Sequence, residues 1–380
     1  MGPLEGLKVL ELAGIGPTPM CAMLLADMGA EVLRIDRITP SGLGVQLPPQ
    51  FSLLNRGRRS AAVDLKKPRG VELVLKLAKR ADALIEGFRP GVAERLGIGP
   101  AECLAVNPRL VYGRMTGWGQ EGPLSQAAAH DLNYIALTGT LHAIGPGEKA
   151  PVPPLNLAGD FGGGALYLAF GLVCGLWEAA RSGQGQVVDA AIVDGAACLM
   201  THAFALKAAG IWNDAREGNI FDGSAPYYSA YQTADGKYIA LACLEPKFFK
   251  EFVRLAGLEG ENLPDQMDEA NWPELKNRLE AVFKGKTREE WRALLEGTDA
   301  CFAPVLSLEE APKHPHNQAR ENFIAVDGVL QPAPAPRFSR TRPQVRSGPC
   351  RPGQHTDQAL SDWGIPAEEV ARLRREKVVA

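Results

Sequence analysis

No Cys-x-x-Cys pair occurs anywhere in this chain. Its seven cysteines, at positions 21, 103, 174, 198, 243, 301 and 350, are odd in number and scattered. That excludes a zinc ribbon or a complete disulfide framework and reads as reduced thiols in a cytoplasmic protein. Excess charge of either sign is also lacking. The formal net charge is only -3, so the overall balance does not argue for nucleic acid as a partner. No internal repeat is present. No apolar leader precedes the first strand pattern, Leu7-Lys-Val-Leu-Glu11, and the ends carry neither a myristoylation nor a peroxisomal signal, so the expected location is the cytoplasm. Long uncharged runs are nearly absent too. The one exception, Phe161 to Trp177, is Gly-rich, falls just short of a span, and is flanked by Asp160 and Glu178. The expectation is a buried core helix and no membrane insertion.

What is present is an ordinary globular composition, 46% hydrophobic and 22% charged over 380 residues. That length is enough for two domains. Residues 7–36 read as strand, turn, helix, strand. A second such unit follows at Ser60–Asp64, 70–80 and Ala83–Ile85, then a strand at Leu110–Gly113. Strands alternating with helices imply an α/β fold with a parallel, Rossmann-like sheet. Helices are expected at 161–180 and 191–209. Residues 213–236 are rich in Gly, Asp, Asn and Tyr and read as a connection. Beyond them lie strands at Tyr238–Ala242 and Cys301–Val305 with helices at 246–256, 273–284 and 287–296. This pattern describes a smaller α+β domain. The prolines of 331–353 mark an extended linker, and a short amphipathic helix is expected near 366–376. The division expected is a large domain over 1–195 completed by 325–380, a linker over 196–225, and a small domain over 226–320.

Several residues invite chemistry, and each has an ordinary reading beside it. His130 precedes an apolar run in Ala129-His130-Asp131-Leu-Asn-Tyr134, and Asp160 precedes another in Gly159-Asp160-Phe-Gly-Gly-Gly164. Each looks like a helix start. Alone, His130 reads as a satisfied structural histidine and Asp160 as an N-cap. Together they offer a base and an acid at two helix N-termini, where developing negative charge is favoured, and the Gly162–Gly164 run lets a substrate approach backbone N–H groups. Gly14-Ile-Gly16-Pro-Thr-Pro19, with Asp36 twenty residues past Gly16, partly matches a dinucleotide fingerprint. The third glycine is missing, so a plain helix-start turn is the default. Arginines and lysines crowd the first hundred residues: Arg34, Arg37, Arg56, Arg58, Arg59, Lys66, Lys67, Arg69, Arg89 and Arg95. A polyphosphate would need such a set; from composition alone a solvated basic surface is the favoured reading. Glu245 ends a strand and could be a plain surface carboxylate.

Segments along essentially the whole chain closely resemble the class III CoA-transferase family, and within it the racemase branch. They include Leu33-Arg-Ile-Asp-Arg37, Val63-Asp-Leu-Lys66, Leu84-Ile-Glu-Gly-Phe-Arg-Pro-Gly-Val92, Glu94-Arg-Leu-Gly97 and Gly113-Arg-Met-Thr-Gly-Trp-Gly-Gln120. They continue through the His130 and Asp160 segments, Gly183-Gln-Gly-Gln-Val-Val-Asp189, Ala225-Pro-Tyr-Tyr228, Leu244-Glu-Pro-Lys-Phe-Phe249 and Pro334-Ala-Pro-Arg-Phe-Ser339. Residues 38–55, with Pro40 and Pro48-Pro49, are longer than the racemase pattern. The resemblance implies inversion at C2 of a 2-methyl-branched acyl-CoA thioester. His130 and Asp160 would be the two bases, and Glu245 the partner of His130. The alternative is a CoA-transferase in which Asp160 is a covalent nucleophile; a histidine at 130 favours the racemase. The resemblance also places coenzyme A, as part of the substrate, at Arg37, Val63, Asp64, Leu65, Lys66, Gly87, Phe88, Arg89, Arg95, Ala129, Asp131, Leu132, Asn133 and Tyr134. It implies no metal or other cofactor. It implies an interlocked homodimer, each site lying between the large domain of one subunit and the small domain of the other.

Overall fold

The computed structural model describes residues 2–39, 42 and 44–380. Pro40, in the segment that departs from the racemase pattern, lies outside the described residues. The chain divides into two compact units. One comprises residues 1–140, 154–200 and 321–380, and the other residues 141–153 and 201–320.

The first unit is built on strands β1 (Lys8–Leu12), β2 (Glu31–Asp36), β3 (Arg59–Ala62), β4 (Ala83–Glu86), β5 (Val111–Thr116) and β6 (Val187–Ala191). They form one parallel sheet in the order β3-β2-β1-β4-β5-β6. The central strands are apolar in continuous runs because both faces are covered. Leu10 pairs with Leu33 on one side and with Leu84 on the other, and all three are fully buried. The expected alternation of strands and helices is therefore what the chain forms. The order reverses between β1 and β4, which opens a crevice at the carboxyl ends of these strands.

Helix α1 (Pro17–Asp27) follows β1, α2 (Pro68–Ala78) follows β3, and α3 (Val92–Leu96) and α4 (Pro100–Val106) follow β4. The Gly14–Pro19 turn is a helix start, and it holds Pro17 and Pro19. They lie in the first turn of α1, where a missing N–H costs nothing. Helix α5 (Asp131–Leu137) comes next. After it the chain enters a wide, π-type helical stretch, Leu157–Leu166, which runs into α6 (Tyr167–Ser182); α7 (Ile192–Leu199) follows β6.

The apolar helix expected to be buried is only partly so. Leu157–Ser182 is 26 residues long and apolar enough to cross a membrane by composition, yet 33% of its most apolar window is buried. Leu168, Leu172, Gly175 and Ala179 face the sheet, whereas Phe170 is 70% exposed and Trp177 68%.

In the second unit α8 (Thr201–Ala208) leads to an antiparallel sheet of β7 (Tyr228–Gln232), β8 (Tyr238–Ala242) and β9 (Phe302–Val305). Strand β7 lies inside the stretch whose composition read as a connection. Helices α9 (Pro246–Leu255), α10 (Trp272–Phe283) and α11 (Arg288–Leu295) cover this sheet, and α12 (Pro315–Ala319) follows β9. The core is aromatic: Phe283 stacks on Tyr231 and Phe252 and meets Trp291 edge-on.

Back in the first unit, β10 (Phe323–Val326) and β11 (Val329–Pro332) form a hairpin. Its tip, Asp327-Gly328, has both residues at positive φ, as a type I′ turn demands. The Pro-rich segment then reaches α13 (Thr356–Asp362) and α14 (Ala367–Arg375). These helices cover the β3 edge of the sheet: Trp363 is fully buried and Val63 bridges to Val379.

Candidate active site

The loops leaving the carboxyl ends of β1, β4 and β5 converge at the reversal in strand order. Together with the entry to α5 they wall a cavity of about 500 Å³. Its lining includes Ile15–Thr18 after β1, Gly87–Pro90 after β4, Met115–Trp118 at the end of β5, and Ala127–His130 before α5. Arg37, Val92, Ser125, Tyr134, Asp160 and Ile192 complete it. His130 and Asp160 therefore face one cavity.

Backbone contacts fix the place of each. His130 is the N-cap of α5 in extended conformation. Its N–H donates to Asn133 Oδ1 at 3.1 Å, and the imidazole is exposed. One turn on, Tyr134 Oη donates to the carbonyl of Ala129 at 2.6 Å. The Tyr134 ring meets Trp118 edge-on, with centroids 4.8 Å apart, and lies directly over Gly117, where any Cβ would collide with it. The link into His130 is thus pinned from both sides.

Asp160 does not cap its helix, as the sequence pattern implied. Asn156 occupies the N-cap position, without a side-chain cap, and Asp160 sits in the first turn of the π-type stretch. Its N–H donates to Asp131 Oδ1 at 2.5 Å. Burial, then the nearby charge of Asp131, raise its pKa above the ordinary aspartate value, against the pull of the Asn156 side chain and His130. A carboxylate kept partly out of water is a stronger proton acceptor than a solvated one. On the other side of the cavity, Gly16 at the N-cap of α1 has positive φ and faces the Asp160 carboxylate.

A charged cluster adjoins the lining residue Gly87 in the chain without itself lining the cavity. Glu86, at the end of β4, accepts the Phe88 N–H at 2.6 Å and Arg114 Nε at 3.0 Å. Arg114 also reaches Glu94 at 2.8 Å. Burial outweighs these attractions and pushes the Glu86 carboxyl up to about 7.

Of the residues singled out in the sequence, His130, Asp160, Arg37, Gly87, Phe88, Arg89, Ala129 and Tyr134 line the cavity. Val63, Asp64, Leu65, Lys66, Arg95, Asp131, Leu132 and Asn133 do not. Val63 is buried in the sheet, and the Asp64 N–H donates to Val378. Lys66, Arg95, Leu132 and Asn133 are exposed, and Asp131 is buried. Glu245 belongs to the second unit, exposed at the N-cap of α9.

The basic cluster read as a phosphate set is mostly structural. Arg34 pairs with Asp36, Arg56 with Asp27 and Arg58 with Glu11, all buried, as a buried guanidinium requires. Arg59 pairs with Glu31 and Asp362, and Arg69 with Glu376. Only Arg37 and Arg89 of that cluster line the cavity. Sequence reasoning did not assign Ile15, Thr18, Thr116 or Trp118 to the site; the signal that finds them is the reversal in strand order, which pairing alone reveals.

A model of CoA-transferase family III matches residues 4–356. The alpha-methylacyl-CoA racemase of Mus musculus is 45% identical over 380 residues, covering 99% of this chain and 97% of that protein. The alpha-methylacyl-CoA racemase of Homo sapiens is 42% identical over 379 residues, with 99% and 97% covered. The crystal structure of a CAIB/BAIF family protein from Brucella suis superposes with a TM-score of 0.82 at 26% identity, covering 95% of this chain and 99% of that one.

Proposed function

Since the chain belongs to CoA-transferase family III, we propose that it is an isomerase that inverts C2 of 2-methyl-branched acyl-CoA thioesters. The observation that carries this reading is that His130 and Asp160, a base and an acid, line the same cavity. The 45% identity to a racemase over nearly the full chain supports it.

The α-proton of a thioester is weakly acidic, so the site must remove it and stabilise the resulting enolate. One of His130 and Asp160 takes the proton from one face of C2. The other returns a proton to the opposite face, and the roles exchange for the other enantiomer. General-base catalysis contributes about 10²–10⁴-fold, and stabilising the enolate oxygen at the start of α5 contributes on the same scale. No redox step or metal enters this chemistry, and coenzyme A is the handle of the substrate. Arg37 and Arg89 hold its phosphates; the adenine lies toward Val63–Lys66, and the thioester toward Ala129–Tyr134.

The working form is an interlocked homodimer in the cytoplasm, in which Glu245 of a second copy orients His130. The uncovered apolar side of α6, with Phe170 and Trp177 exposed, is the kind of surface that a second copy covers.

The test incubates one pure enantiomer of a 2-methylacyl-CoA with the enzyme in deuterium oxide. The expected result is deuterium at C2 in step with loss of optical purity. No exchange, together with a hydroxylamine-trapped acyl adduct on Asp160, would overturn the isomerase reading in favour of acyl transfer.

A further inference from the structure

Asp131 touches both proposed bases without lining the cavity. It follows His130 directly in the chain and opens α5. Its Oδ1 accepts the backbone N–H of Asp160 at 2.5 Å. The approach depends on Gly159: a Cβ there would lie 2.4 Å from Asp131 Oδ1. Asp131 is 7% exposed, and its Oδ2 is buried with no hydrogen-bond partner among the described residues.

Accepting one N–H needs a single neutral oxygen, and a serine or an asparagine supplies one. A buried carboxylate with an idle oxygen is a costly way to do the same thing. The cost is partly offset at the N-terminus of a helix. What the second oxygen brings to this place is negative charge beside Asp160.

We propose that Asp131 is a positioning residue for the isomerisation: it fixes the separation of His130 and Asp160 by joining their backbones, and its charge tunes Asp160 as a base. This rests on the isomerase reading given above. A two-base reaction needs both groups to hold and release a proton at the same pH. An unassisted aspartate is too weak an acceptor to match an imidazole. Asp131 supplies the correction through a contact that also sets distance.

The groups facing Asp160 bear this out. Helix α5 presents Asp131 and His130, with Tyr134 one turn further on; the segment before Asp160 presents Asn156; and the turn into α1 presents Gly16, which has no side chain. Asp131 is the one negative group among them.

Two variants separate the two roles. Asp131→Asn keeps an oxygen for the Asp160 N–H and places an amide where Oδ2 lies, so distance is retained and charge is lost. Asp131→Ala loses both. The first readout is the titration midpoint of the Asp160 carboxyl, followed by carbon NMR with ¹³C-labelled aspartate and assigned with Asp160→Asn. The second is α-proton exchange of each enantiomer in deuterium oxide.

In Asp131→Asn the Asp160 midpoint is expected to fall, and exchange of the enantiomer deprotonated by Asp160 to slow about 10-fold more than exchange of the other. In Asp131→Ala both exchanges are expected to slow about 10²-fold, the cost of misplacing a reacting group by about 1 Å. An unmoved midpoint in Asp131→Asn with both exchange rates intact would overturn the proposal, and this holds even where Asp131→Ala fails to fold. The midpoint needs no substrate. A wild-type enzyme that does not exchange C2 protons, combined with a midpoint that moves, would overturn the isomerase reading and leave the Asp131–Asp160 tie standing.

Discussion

Gly16 and the carboxylate of Asp160 face each other with no side chain between them. A Cβ at Gly16 would stand 3.3 Å from Asp160 Oδ2, and the backbone there has φ +64°. Both the turn and the proposed base therefore depend on one missing methyl group. A positive φ joined to ψ -119° is a conformation that costs a residue other than glycine roughly 1–3 kcal/mol, and the carboxylate must shift by a few tenths of an ångström to make room.

Gly16→Ala is expected to lower kcat for racemisation by about 10–10²-fold, since displacement of a reacting group is costly. Dissociation of free coenzyme A should change far less, because the altered contact is at the reacting end of the substrate. Equal losses in kcat and in affinity for coenzyme A would show that Gly16 serves binding instead.

Glu86 gives a pH-dependent prediction. Its folded pKa stands at about 7, against an ordinary value of 4.5. Below 4.5 the group is neutral in both states and costs nothing. Between 4.5 and 7 the unfolded chain releases the proton while the folded protein retains it, so stability falls as pH rises through this window, by roughly 3 kcal/mol in all. Above 7 the penalty is complete. Glu86→Gln keeps an oxygen for the Phe88 N–H or for Arg114 and cannot ionise. Urea unfolding at pH 5 and pH 7.5 should show the variant gaining on the wild type at the higher pH. Parallel stability curves would refute the assignment.

Arg37 and Arg89 line the cavity and carry no reacting group. Arg37→Ala and Arg89→Ala should each raise the Michaelis constant for the acyl-CoA several-fold, with kcat changed by less than about 2-fold. That is the signature of binding made equally in ground and transition states. A loss confined to kcat would place these arginines at the chemistry instead.

Much of this was legible in the sequence, and the failures have physical causes. The parallel sheet could be read because its strands are buried on both faces and show as continuous apolar runs. Its order could not, because pairing between β1 and β4 leaves no local mark, and the cavity at their reversal stayed hidden with it. Charge counting misjudged Arg34, Arg56 and Arg58. A buried ion pair such as Arg58–Glu11 joins residues 47 positions apart, and no window along the chain connects them. The outward face of α6 was missed because an apolar run gives the same composition whether one side or both are covered. The family resemblance places Asp131 beside the substrate; what no stretch of sequence shows is that its side chain turns inward to the Asp160 backbone.

Glu245 offers the most discriminating test of the assembly. It stands exposed at the N-cap of α9, in the second unit, with a backbone that needs no side-chain cap from it. As a residue serving only its own unit, it should tolerate Glu245→Gln with little change in folding or rate. As the orienting partner of His130, it fixes the ring and favours the imidazolium during proton transfer. Glu245→Gln should then depress kcat strongly while folding and dimerisation persist. His130→Ala should abolish racemisation, since one general base contributes at least ~10²-fold. Mixing the two variants decides which subunit supplies the glutamate. With Glu245 donated across the interface, a heterodimer of His130→Ala with Glu245→Gln has one site carrying both changes and one carrying neither. Two nearly inactive parents should then give a mixed dimer with about half the wild-type activity. No recovery from mixed dimers verified by differential tagging would mean that His130 and Glu245 act within one subunit or do not act together.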